Sequence, residues 1–288
     1  MLETEISQAL TRYHFLVTLL NNINEKTNEA LKNDQRWFTF APKICIKFLN
    51  QAFTLELLFS EKQLELPDQS TKPFEDLSAI YSTLRMQFET HALFYHLFIP
   101  CNNIEENILR FRLWELDGIR GRIKINSNKT QSLSTRSAAD QSYQKVIEQT
   151  IINLPYYQRF DAKTQRFLLD KAAWRFTDQS LIDKTYRPIS YDQLIRQTGI
   201  KETIYADLYA HLSMHTHPSY VGVVQSFSST DDETTIGRYV AIMHASFVTA
   251  FMIEDLAKRF VQGSEHLKNL SPFDMDVYKS VRDGGREL

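Results

Sequence analysis

Two stretches gather the side chains that could do acid–base or electrostatic chemistry. One is Tyr205–Tyr220, YADLYAHLSMHTHPSY; the other is Leu77–Pro100, LSAIYSTLRMQFETHALFYHLFIP. In the second, Arg85 and Glu89 are four residues apart and share one face of a helix beside Leu84, Phe88 and Ala92. An arginine on an apolar face must be satisfied. It is either a structural ion pair pinning two helices or a guanidinium aimed at a phosphate or a developing negative charge. In the first stretch Tyr209, Ser213 and His217 follow at i, i+4 and i+8, one stripe of a helix. Pro218 biases His217 out of the α region, which puts its imidazole at the helix terminus. There it is a capping or core-bonded histidine, or a general base or acid near neutral pH with Ser213 and Tyr209 beneath it.

Asp207, His211 and His215 form a second stripe, D-x3-H-x3-H, a spacing that can hold a metal on a helix face, with His244 as a further ligand. Neither H-E-x-x-H nor the E-x-x-H pair of a di-iron bundle is present, so a metal centre is the lesser expectation. His91 reads as support for Glu89, and His96 as packing. The sequence lacks a G-x4-GK[ST] loop, a G-x-G-x-x-G turn and a G-x-S-x-G elbow, so no nucleotide cofactor is expected. Cys45 and Cys101 sit in apolar settings without metal spacing and read as reduced, buried thiols.

The elements that must position these residues are helices. Only 8 Gly and 8 Pro in 288 residues argue for few tight turns and long regular elements. Apolar residues recur at three- and four-residue steps over Glu3–Lys32 (Ile6, Leu10, Tyr13, Val17, Leu20, Ile23) and over Ile44–Leu66 (Ile44, Phe48, Ala52, Leu55, Phe59). On the latter, Phe53, Leu57 and Leu58 widen the apolar face and predict burial on more than one side. Thr71 is the expected cap of the next helix, which runs to Pro100. Asn103–Ile125 predicts another helix, with Arg110, Arg112, Arg120, Arg122 and Lys124 as a solvated face or a basic strip beside a cleft. Residues 126–137 read as a loop, and 138–200 as shorter helices. Ser190 and Gln193 have capping-box spacing, and Gly199 suits a helix end. A helix over Lys201–Thr216 carries the histidines. A last long helix over Thr234–Gln262 stops at Gly263, and the tail from Pro272 is expected to be loosely held. The fold class predicted is all-α: an antiparallel multi-helix bundle, one domain over 1–288, with a subdivision at 126–137 and a shorter-helix insertion over 138–200. A net charge of −2 leaves no global footprint for nucleic acid, though a local patch is compatible with it. The acidic N-terminus and the lack of an apolar run near the ~20 residues of a membrane span predict a cytoplasmic chain with no membrane partner.

The stretches 84–98 and 208–219 resemble a family of all-helical bacterial proteins, the DUF5677 type, whose pattern is L-R-x3-E followed later by Y-x3-S-x3-H-P. Here those positions are Arg85, Glu89, Tyr209, Ser213, His217 and Pro218, and the lead-in PISYDQLIRQTGI is similar to that family as well. Such proteins look similar in turn to the HEPN group of helical bundles, many of them dimeric ribonucleases or phage-defence components with an Arg-x4–6-His hallmark. Arg85-x5-His91 has that spacing, whereas Met86, Gln87 and Phe88 depart from the polar residues of the catalytic version. The resemblance implies an enzyme acting on RNA or another phosphodiester as a homodimer, with Arg85 stabilising charge and His217 or His91 as base. The residues alone leave open a non-catalytic binding module held by an Arg-Glu-Tyr-Ser-His network.

Overall fold

The computed structural model describes residues 2–32, 34, 36–60, 62–65, 71–74, 76–99, 103–126, 131–205, 207–216 and 231–286. The chain forms two compact units, one made of residues 1–99 and 191–288 and the other of residues 100–190. The described residues are helical apart from loops and one small hairpin, so the fold is all-α.

In the first unit, α1 (Leu2–Ala30) buries Ile6, Tyr13, Leu16, Val17, Leu20 and Ile23. After a 3-10 turn, Trp37–Phe40, comes α2 (Ala41–Phe59), with Pro42 in its first turn. It buries the expected stripe, but Phe53 is 42% and Leu57 61% exposed, so one face is covered rather than two. The chain then makes two antiparallel strands, β1 (Lys62–Glu65) and β2 (Thr71–Phe74), with Lys62 opposite Phe74 and Glu65 opposite Thr71. Both were expected as helix. Thr71 is therefore a strand residue, and the cap of α3 (Leu77–Phe98) is Asp76, whose carboxylate accepts from the Ala79 amide at 2.9 Å. α3 is central, with Leu84, Phe88, Ala92, Phe94 and Leu97 fully buried or nearly so.

The unit resumes with α9 (Tyr191–Arg196), α10 (Glu202–Tyr205), α11 (Leu208–Thr216), α12 (Asp231–Arg259), α13 (Val261–Lys268) and α14 (Pro272–Gly285). α3 packs against α2, α9, α11 and α12, and α1 packs against α2, α12 and α13. The helix expected over 201–216 is two pieces. Gly263 does not end α12; the break falls at Phe260, and Gly263 lies within α13, where an added Cβ would sit 2.8 Å from the Ala257 Cα. Within α12, Glu233–Arg259 is long and apolar enough by composition to cross a membrane, and 72% of its most apolar window is buried in the fold. The tail is not loose. A Cβ on Gly285 would meet the Phe247 and Phe251 side chains at 2.8–2.9 Å, so the absence of side chains at Gly284 and Gly285 is what lets α14 dock on α12.

The second unit holds α4 (Ile104–Asn126), α5 (Gln131–Ile152), α6 (Pro155–Gln158), α7 (Ala162–Lys171) and α8 (Asp178–Ile182). α4 lies along α5 over a core that includes Leu109, Leu113, Leu116, Ile147 and Ile151. Residues 131–137, expected as loop, begin α5. The arginines of α4 do not form a free basic strip. Arg110 pairs with Glu106, Arg112 with Glu115 at 2.7 Å, Arg120 with Glu148 at 2.8 Å, and Arg122 with Asp140.

Candidate functional site

α3 and the α10–α11 segment run antiparallel along a shared seam. Phe88 meets Tyr205 at 6.3 Å between ring centroids, Arg85 meets Tyr209, and Tyr81 meets His215 at 4.7 Å. Residues 81, 85 and 88–89 recur at the helical repeat, which lines them up on one face of α3. The lower part of the seam is apolar and the upper part polar, and the polar part is the candidate site.

At its centre three side chains close a ring of hydrogen bonds. Arg85 Nε donates to Glu89 Oε1 at 2.9 Å, Arg85 Nη2 donates to the Tyr209 hydroxyl at 3.1 Å, and that hydroxyl donates to Glu89 Oε1 at 3.0 Å. The Arg85 and Glu89 side chains are 20% and 25% exposed, so the cluster borders solvent. The guanidinium also lies 5.0 Å from the Tyr209 ring centroid. Arg85 Nη1 makes no hydrogen bond among the described residues. Burial, then the Glu89 charge, pushes the Tyr209 phenol above its ordinary value, so it stays a neutral donor at physiological pH.

One turn along, Tyr81, His211 and His215 form a second cluster, with Tyr81 4.9 Å from His211 and the two imidazoles 4.9 Å apart. Ser82 Oγ donates to the His215 carbonyl at 3.5 Å. Neither ring nitrogen of His215 has a hydrogen-bond partner among the described residues. Burial lowers His211, and burial plus the neighbouring His211 lowers His215, so both are neutral imidazoles near pH 7. α12 passes close by: a Cβ on Gly237 would sit 2.7 Å from the Tyr81 hydroxyl. His244, also on α12, bonds through Nδ1 to the Val240 carbonyl at 2.8 Å.

Of the residues singled out in the sequence, Arg85, Glu89 and Tyr209 come together. Ser213 does not reach an imidazole; its hydroxyl donates to the Tyr209 carbonyl at 2.6 Å, a bond within its own helix. His217 and Pro218 lie outside the described residues. Asp207 precedes α11 rather than riding on it, and its carbonyl accepts from the His211 amide at 3.0 Å. Among the described residues no group of three His, Cys, Asp or Glu side chains is gathered as metal ligands. None of these residues lines the cleft of about 420 Å³ bounded by Ile6, Leu10, Phe59 and Arg238.

His91 does not support Glu89. Six residues beyond Arg85 it faces another side of α3, is 1% exposed, and bonds through Nε2 to Asp255 Oδ2 at 2.8 Å. Asp255, itself 0% exposed, receives Arg286 Nη2 at 3.1 and 3.0 Å. The same guanidinium pairs with Glu254 and donates to the Thr198 carbonyl from Nε at 3.0 Å and Nη2 at 2.9 Å. Burial drives His91 well below its ordinary value, with the Arg286 charge adding to it, and lowers Arg286 to about 10. Burial pushes the Asp255 carboxyl up. This network ties the C-terminal segment to α3 and α12 and, through Thr198, to the linker that leads into α10 and α11. Sequence reasoning missed Asp255 and Arg286. The available signal was an acid inside the apolar run Met252–Leu256 and an arginine directly after two glycines.

No curated protein and no solved structure shows significant similarity to this chain. The sequence profile described as "Family of unknown function (DUF5677)" matches residues 75–234. That span, more than half of the chain, contains the whole Arg85–Glu89–Tyr209 cluster and the His211–His215 pair, and it ends before Asp255 and Arg286. The chain belongs to the DUF5677 family.

Proposed function

We propose that the seam between α3 and α11 is a metal-independent phosphodiester-cleaving site with RNA as its substrate class. The observation that carries this reading is a neutral imidazole, His215, whose two buried ring nitrogens have no hydrogen-bond partner among the described residues, one helical turn from an arginine whose Nη1 makes no hydrogen bond among them either. An imidazole of this kind can accept the proton of a ribose 2′-hydroxyl as that oxygen bonds to phosphorus. The P–O5′ bond then breaks, and a protonated imidazole returns a proton to the leaving oxygen. Arg85 would stabilise the added negative charge of the five-coordinate phosphorus, with Glu89 and Tyr209 holding its plane. The Arg85-x5-His91 spacing that resembles the HEPN hallmark supports a nuclease class, but the imidazole of the proposed chemistry is His215, because His91 is sealed against Asp255.

The test is incubation of the purified chain with a mixed RNA and single-stranded DNA pool, with and without EDTA, alongside Arg85→Ala, His215→Ala and His217→Ala. RNA cleavage that survives EDTA and falls at least about 100-fold in Arg85→Ala and His215→Ala is the expected result. Absence of cleavage, or cleavage lost with EDTA, would overturn it. The mutual satisfaction of Arg85, Glu89 and Tyr209 favours a second reading, a non-catalytic module in which the cluster pins α11 to α3. In that case the Arg85 variant lowers the melting temperature and no cleavage is seen with any of the proteins.

A further inference from the structure

The 3-10 turn between α1 and α2 carries a run in which rings alternate with cations, Arg36-Trp-Phe-Thr-Phe-Ala-Pro-Lys43. The Arg36 guanidinium lies 4.3 Å from the Phe38 centroid, and Lys43 Nζ lies 4.3 Å from the Phe40 centroid. Arg259, at the end of α12, reaches in from far along the chain to 5.7 Å from the Trp37 ring and 5.8 Å from the Phe38 ring. Phe38 and Phe40 are half-buried, and Lys43 and Lys47 are exposed one turn apart on α2. Asp34 binds Arg36 through Nε at 2.9 and 3.0 Å and offsets one of these charges.

Arg259 separates this surface from ordinary local cation–π contacts. It is half-buried, its Nε has no hydrogen-bond partner among the described residues, and no carboxylate there pairs with it. Removing a guanidinium from water without an acid to meet it is unfavourable, and an outside anion would offset that.

We infer that this surface binds single-stranded nucleic acid. Its phosphates would meet Lys43, Lys47 and Arg259. Its bases would stack on Phe40 and on the guanidinium–ring layer of Arg36 and Phe38, as in sequence-tolerant single-strand recognition. An anionic membrane fits less well, because Trp37 is 7% exposed and stacked on Phe98 at 5.3 Å with planes 2° apart, locked inward rather than free to insert. The surface lies apart in sequence from the Arg85–Tyr209 cluster, and the inference stands whether or not that cluster cleaves anything.

The experiment is fluorescence anisotropy with labelled 12-nucleotide single strands of mixed sequence, RNA and DNA, against duplex of the same length and phosphatidylserine vesicles. The full chain is compared with the double variant Lys43→Glu/Lys47→Glu, with Arg259→Gln and with Phe40→Leu, each checked for unchanged melting. The expected result is single-strand binding with a dissociation constant on the order of 10⁻⁶–10⁻⁴ M that weakens steeply with salt. The double variant should bind at least about tenfold more weakly, and Phe40→Leu about fivefold or more. The DNA strand, which lacks the 2′-hydroxyl that cleavage requires, reads binding alone, so loss of cleavage and loss of binding are told apart. The inference is overturned by single-strand binding equal in all variants, by no binding at about 100 μM strand, by equal affinity for duplex, or by binding to vesicles alone.

Discussion

The Tyr209 hydroxyl bonds to both halves of the Arg85–Glu89 pair. Removing it in Tyr209→Phe leaves the two charges bonded to each other. Because the cluster borders solvent, water can take the vacated positions, and the loss of stability should be no more than about 1 kcal/mol. Its effect on the proposed chemistry should be larger, since the guanidinium loses the contact that fixes Nη2. A fall in cleavage rate of about tenfold with little change in melting temperature is expected from paired kinetic and calorimetric measurements. Arg286 behaves differently because the carboxylate it meets at Asp255 is 0% exposed. Arg286→Ala removes the guanidinium bonded to Asp255, while Glu254 keeps Lys258 at 3.2 Å, and breaking a buried pair of the Asp255 kind costs about 3–5 kcal/mol. If uncompensated charge is the reason, Arg286→Ala/Asp255→Asn should be less destabilised than Arg286→Ala alone in urea unfolding. Equal destabilisation would assign the loss to packing instead.

Among the elements, the short helices depend on close approach to their neighbours. α13 crosses the end of α12 at Gly263, where an added Cβ would also come within 3.2 Å of the Ile23 side chain on α1. Alanine is the better helix former by about 1 kcal/mol, which alone would make Gly263→Ala stabilising. The contact at 2.8 Å is with main chain, which cannot swing aside, and overpacking of that kind costs about 1–3 kcal/mol. Net destabilisation is therefore expected, with a lower urea midpoint at unchanged slope. α14 is held in the same way through Gly285, and also by Lys201, whose amide donates to the Gly285 carbonyl at 2.9 Å and whose Nζ donates to the Asp283 carbonyl at 2.6 Å. The C-terminal helix is thus joined to the segment that leads into α10 and α11.

Across the whole molecule, burial is the first cause of a lowered imidazole at His91, His211, His215, His244 and His266. The unfolded chain takes up these protons near pH 6.5, and the folded chain only below it. Between the two values the unfolded state binds more protons, so stability rises with pH there and is lost as pH falls. Asp255, whose carboxyl burial raises, works in the opposite sense over the range between its unfolded and folded values. The melting temperature should fall as the pH drops below about 6.5, and a rise there in scanning calorimetry would contradict the assignment.

The sequence by itself determined the long helices and the Arg85–Glu89 pair, because apolar spacing and an i, i+4 charge pair are properties of one helix and need no partner. It also pointed to Tyr209, although the meeting of Tyr209 with Arg85 depends on α11 running back along α3. Tertiary structure alone decided that His91 belongs to Asp255 and Arg286, since those partners lie 164 residues and more away and the face on which His91 is buried depends on where α12 docks. It also decided that residues 62–65 and 71–74 pair as strands and that DGG is a docking surface. A glycine read along the chain signals flexibility, and only the aromatic rings of Phe247 and Phe251 packed against Gly285 show why a side chain is missing there.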